Sequence, residues 1–127
     1  SVDSYAPETG KLLWHVECLA GEVAASPAYQ DGIVVVASEG SAATAINIAA
    51  ADDASRVLWQ WEESLPDTAS AVAGNGMVII PTGFGVVSCL DIKTSFRPRL
   101  NLWANAPSAS RSTRRLDSRK VESFFEG

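Results

Sequence analysis

The sequence predicts an all-β fold built from four-stranded antiparallel blades, a part of a β-propeller. Three observations carry this reading. Short apolar runs are separated by glycine turns, a set of landmarks recurs every 44 residues, and the tryptophans keep almost the same spacing. Asp31-Gly32 precedes Ile33-Val34-Val35-Val36, and Asn75-Gly76 precedes Met77-Val78-Ile79-Ile80, with Gly32 and Gly76 44 positions apart. Ala25-Ser26 and Ala69-Ser70 hold that offset, as do Ala45-Ile46-Asn47-Ile48 and Cys89-Leu90-Asp91-Ile92. Trp14, Trp59 and Trp103 are spaced by 45 and then 44. A period of this length is that of a propeller blade. An independent β-sandwich also has short strands, but it does not require a constant offset. Helical spacing at i, i+3, i+4 does not persist.

Each repeat reads as four strands. The first full copy places strands over 26–29, 33–38, 44–48 and 56–62, the last carrying Trp59 and Trp61. Asp-Gly and Asn-Gly supply the left-handed backbone of a tight hairpin, and both copies have one between the first two strands. The run at 33–38 is apolar on both faces, as suits a sheet sandwiched between two others. The second copy places strands over 68–73, 77–80, 86–92 and 101–104, with Gly83-Phe84-Gly85 as its middle turn. Residues 1–22 read as the last strand of a preceding blade and a connector, 23–63 as the first full blade, 64–106 as the second, and 107–127 as a basic, poorly ordered tail. Propellers close with about four to eight blades. At 127 residues the chain holds fewer than three, so it reads as a piece of a larger propeller.

Composition narrows the class further. The chain is 46% hydrophobic and 20% charged, and its longest apolar runs are too short to span a bilayer. Up to Ile92 there are two basic residues and twelve acidic ones; from Lys93 onward there are eight basic and three acidic. The overall net charge of −5 argues against a nucleic-acid partner. Cys18 and Cys89 are far apart, form no C-x-x-C pair, and read as small packing residues rather than a bridge. The first residues lack a basic stretch followed by an apolar one, so no signal peptide is read here.

Candidate chemistry is sparse. Glu62-Glu63 stand at the end of a predicted strand, where adjacent side chains point to opposite faces, and Asp52-Asp53 fall in a polar loop. His15 is the single histidine and has no evident partner to set its proton. No phosphate loop, zinc spacing or catalytic triad is found, so no catalytic, cofactor or metal residue is assigned. The usable surface is expected in loops 49–55 and 63–68, whose Asp52, Asp53, Glu63 and Asp67 form an acidic rim suited to a basic partner.

The segment Ser4-Tyr5-Ala6-Pro7-Glu8-Thr9-Gly10-Lys11-Leu12-Leu13-Trp14 resembles the tryptophan-docking motif of PQQ-like repeats, the quinoprotein alcohol dehydrogenase-like propellers that include BamB-like scaffolds. Gly10, Lys11 and Trp14 match the pattern directly. Ala45, Asn47 and Trp59 stand in the corresponding places of the second copy, with four extra residues and no Gly-Lys. Cys89, Asp91 and Trp103 do so in the third, where Ser95 replaces the glycine. The resemblance implies that each tryptophan lies flat between blades above a small residue. Gly10, Trp14, Gly32, Ala45, Trp59, Gly76, Cys89, Asp91 and Trp103 are therefore read as structural repeat positions. It also implies an extracytoplasmic, periplasmic setting and a non-catalytic protein-binding scaffold, its partners being another protein or the remaining blades of a parent. The alternative within the resemblance is a fragment of a PQQ-dependent dehydrogenase that oxidises alcohols or sugars with PQQ and calcium. Two readings of the tail stay open: a basic Ser/Arg surface that contacts nucleic acid or an acidic partner, and an aberrant terminus.

Overall fold

Asp31-Gly32 and Asn75-Gly76 both turn through the left-handed region, with φ of 49° and 80° in the first pair and 51° and 75° in the second. Such pairs match the right-handed twist of the strands they join, so each nucleates a tight hairpin. In the computed structural model, which describes residues 1–96, these hairpins organise three antiparallel sheets. The first pairs β1 (Val2–Tyr5) with β2 (Leu12–Val16). The second runs in order through β3 (Ala28–Gln30), β4 (Ile33–Ala37), β5 (Ala43–Asn47) and β6 (Val57–Trp61). The third holds β7 (Val72–Gly74), β8 (Met77–Pro81) and β9 (Val87–Asp91).

The 44-residue offset recurs in the strand register. Every residue pair of β3–β4–β5 recurs 44 positions later in β7–β8–β9, from Ala28 with Val35 and Val72 with Ile79 to Ala37 with Ala43 and Pro81 with Val87. The bond from Ile48 N–H to the Gly32 carbonyl (3.0 Å) recurs from Ile92 to Gly76 (2.9 Å). These are partial blades of a β-propeller.

Side-chain alternation on β4 decides how the sheets stack. Ile33, Val35 and Ala37 pack with Val78, Ile80 and Leu90 of the third sheet. Val34 and Val36 point the other way, into a cluster with Trp14, Val16, Cys18 and Ile46. The middle sheet is thus buried on both faces, which suits the wholly apolar run of β4.

Two features differ from the sequence analysis. The first sheet contains two strands, where only the last strand of a blade was expected; the turn closed by Gly10 folds β1 back on β2. An incomplete propeller is expected to bare an apolar patch about the neighbours of Ile33, Val35, Val78 or Ile80, yet these four are buried. The exposed apolar surface among the described residues is the outer face of the third sheet, where Val72 and Val87 are 52% and 55% exposed. The expected strand over 101–104, Trp103 and the tail 107–127 lie outside the described residues.

Two turns of the motif superpose closely. Gly10 N–H donates to the Ala6 carbonyl (2.8 Å), and Ala6 N–H to that of Lys11 (2.9 Å). Ser95 N–H donates to the Asp91 carbonyl (3.0 Å), and Asp91 N–H to that of Phe96 (2.9 Å). Gly10 has φ of 66°, and Ser95 is held at 56° in the same place. A side chain is strained in that region, so Ser95→Gly is expected to stabilise the chain by about 0.5–1 kcal/mol, read as a shift in the urea midpoint. The uncovered face of the third sheet predicts self-association, with a melting temperature that rises with protein concentration. A sharp monomeric melt independent of concentration is the contrary result.

Candidate functional site

The junction of the second and third sheets is closed by Trp59. Its partner across the ladder is Ala45, a residue small enough to leave room for the ring. The ladder bulges beside this pair, as it does beside Ser4 and Trp14 in the first sheet. The Trp59 indole is buried, and its Nε1–H donates to the Ile92 carbonyl at 2.8 Å. Nearer the first strands of these two sheets, Ser26 N–H donates to Ser70 Oγ (2.9 Å) and Gly76 N–H to Gln30 Oε1 (3.1 Å). Burying an indole contributes roughly 2–3 kcal/mol by area.

At the junction of the first and second sheets an arginine takes over. Arg56 is 7% exposed; its Nε donates to Asp53 Oδ1 (2.9 Å) and its Nη1 to the Ile48 carbonyl (2.9 Å). Its guanidinium lies 5.2 Å from the centre of the Trp14 ring, within cation–π range. Ile48 and Ile92 are equivalent by the 44-residue offset, so one carbonyl position is met by an indole at one junction and a guanidinium at the other. Arg56 is not among the positions that the sequence pattern singles out. The signal was present, since Arg56 stands three residues before Trp59 as Lys11 stands before Trp14.

The acidic residues divide between the two ends of the sheets. Loops 49–55 and 63–68 flank β6, so a whole strand of about 17 Å separates them and they form no single rim. Asp52 caps the 3-10 turn Asp53–Ser55, accepting the Ser55 N–H at 2.9 Å, which holds its carboxyl below the ordinary value. Asp53 is engaged by Arg56. These two carboxylates are therefore committed to the fold.

At the other end, three loops enclose a shallow groove of about 300 Å³. The turn after β4 supplies Glu39, the chain leaving β6 supplies Glu62, Ser64 and Leu65, and the turn between β8 and β9 supplies Thr82, Phe84 and Val86. Local bonds fix these walls: Trp61 Nε1–H donates to the Glu63 carbonyl at 2.6 Å, and Thr82 N–H to the Val86 carbonyl at 2.9 Å. Phe84 is 88% exposed beside the groove. No spacing rule in the sequence brings residues 39, 62 and 84 together, so the groove was not legible there.

His15 has partners that the sequence analysis did not find. Asp3 stands opposite it in the β1–β2 ladder, with Oδ1 2.6 Å from Nδ1, and Glu17 Oε2 lies 3.2 Å from Nε2. The Asp3 bond raises the His15 pKa above 6.5, and His15 holds the Asp3 carboxyl below 3.8. With carboxylates on both nitrogens, the ring offers no free base to a substrate. Cys18 and Cys89 are free thiols whose pKa burial pushes above 9.0, away from reactive thiolates. Among the described residues no three His, Cys, Asp or Glu side chains converge as metal ligands.

Stacked antiparallel sheets in one register, joined by a tryptophan dock, define the PQQ-like class of β-propeller repeat. The chain belongs to the family described as the outer membrane protein assembly factor BamB, which matches residues 1–121. No curated protein matches it. No helix among the described residues is long and apolar enough to cross a membrane.

Trp59→Phe leaves the buried Ile92 carbonyl without its donor and is expected to cost about 1–3 kcal/mol in urea unfolding. Trp14→Phe, at a partly buried ring, is expected to cost less. Folding raises the His15 pKa, so that contribution to stability is full below pH 6.5 and is lost as pH rises through the raised value. Folding lowers the Asp3 pKa, so its contribution is present above pH 3.8 and is lost as pH falls through the lowered value. NMR titration of the His15 ring should give a midpoint above 6.5, which Asp3→Asn returns toward 6.5.

Proposed function

We propose that this chain is a non-catalytic segment of a β-propeller that serves as part of a protein-binding scaffold in an extracytoplasmic, periplasmic setting. Its partners are a second protein or the remaining blades of a parent propeller. One observation carries the reading: the groove pairs a nearly fully exposed Phe84 with the carboxylates of Glu39 and Glu62, while His15 and Asp53 are engaged by neighbouring side chains. An exposed aromatic beside charged groups suits recognition of another surface rather than bond chemistry. Membership in a family described as an outer membrane protein assembly factor supports both the scaffold role and the compartment.

The test adds PQQ and calcium to the purified protein and follows alcohol or sugar oxidation with an artificial electron acceptor. No quinone-dependent turnover is expected. Turnover that disappears when a propeller carboxylate is removed overturns the scaffold reading in favour of a PQQ-dependent dehydrogenase.

A further inference from the structure

We infer that the groove between the second and third sheets docks an extended protein segment bearing a lysine or arginine beside an apolar residue. This rests on the protein-binding reading and names the partner's chemistry. The two sides of the groove differ in kind. Glu39 and Glu62 form no ion pair among the described residues, and Phe84 and Val86 present apolar surface that is 88% and 44% exposed. A long basic side chain is amphipathic in the matching way, its stem lying on the aromatic ring and its charged head meeting a carboxylate.

The surrounding field selects the same partner. Up to Ile92 the chain has only Lys11 and Arg56 against twelve carboxylates. Arg56 is buried at the opposite end of the sheets. The negative field of the described residues draws cations toward the groove and repels nucleic acid and anionic lipid. It also disfavours a second copy at this groove, since the described surface carries the same sign, whereas self-association uses the apolar outer face of the third sheet. At about 300 Å³ the groove is at the small end of ligand pockets, a size for one or two side chains of a passing strand.

The probe is a fluorescein-labelled heptapeptide alternating leucine with arginine and lysine, compared with the same peptide carrying glutamine at the basic positions. Fluorescence anisotropy with the full chain should show binding of the basic peptide only. Its affinity should fall several-fold as salt rises from about 50 to about 300 mM. Phe84→Ser, at an exposed side chain where folding is not at stake, should weaken binding about fivefold. Glu39→Gln with Glu62→Gln should weaken it about fivefold to tenfold. Glu8→Gln, in the turn at the opposite end, should change nothing.

Equal affinity for the neutral peptide, or no effect of Phe84→Ser, overturns the proposal. So does a carbodiimide cross-link from Glu39 or Glu62 to Lys120 in the free chain, which would make the chain's own C-terminal segment the occupant. Absence of peptide binding together with a negative quinone assay removes the groove proposal alone. Quinone-dependent turnover removes the scaffold reading beneath it.

Discussion

The arrangement depends on satisfying one backbone carbonyl at each sheet junction. Stacking apolar sheet faces removes water from the backbone at their outer margin, and a carbonyl stranded there is costly unless a donor reaches it. At the second junction the donor is the Trp59 indole, and at the first it is the Arg56 guanidinium. The two groups differ in charge and shape, yet each presents a flat surface and an N–H. Arg56 requires more support, because its charge must be balanced inside the junction. Asp53 and the Trp14 face supply that support, and the inserted loop 49–55 brings Asp53 into place.

The repeat and its turns were legible in the sequence for a physical reason. Asp-Gly and Asn-Gly announce a left-handed turn locally, and the residues at Gly32 and Gly76 adopt it. Once the turn is fixed, strand register follows, and a constant offset in sequence becomes a constant register in space. What was not legible depended on partners distant along the chain. His15 gains Asp3 only through the β1–β2 ladder, whose register rests on the length of the turn closed by Gly10. The buried position of Arg56 was obscured by its charge, since arginine at a strand start ordinarily faces water. The groove is assembled from three separate loops, and sequence adjacency says nothing about that meeting.

Polarity along the sheets separates two kinds of acidic residue. At the end that carries the tight hairpin turns, Asp52, Asp53 and Asp91 are occupied with backbone N–H groups or Arg56 and hold loops in shape. At the end that carries the groove, Glu39 and Glu62 make no such bonds among those described and remain available to solvent. Composition alone treats all of them as one negative surface. Their bonding divides them into structural and displayed charge.

The stacking of each sheet on the one before it has a consequence for synthesis. Val34 and Val36 face backward onto the sheet made before them, and Val78 and Ile80 do the same one repeat later. As the chain leaves the ribosome, each hairpin therefore finds its docking surface already present, and folding proceeds vectorially from the N-terminus. The forward face of the newest sheet is bare until the next repeat emerges. During that interval it is the growing tip of the protein and the surface on which a chaperone has something to hold.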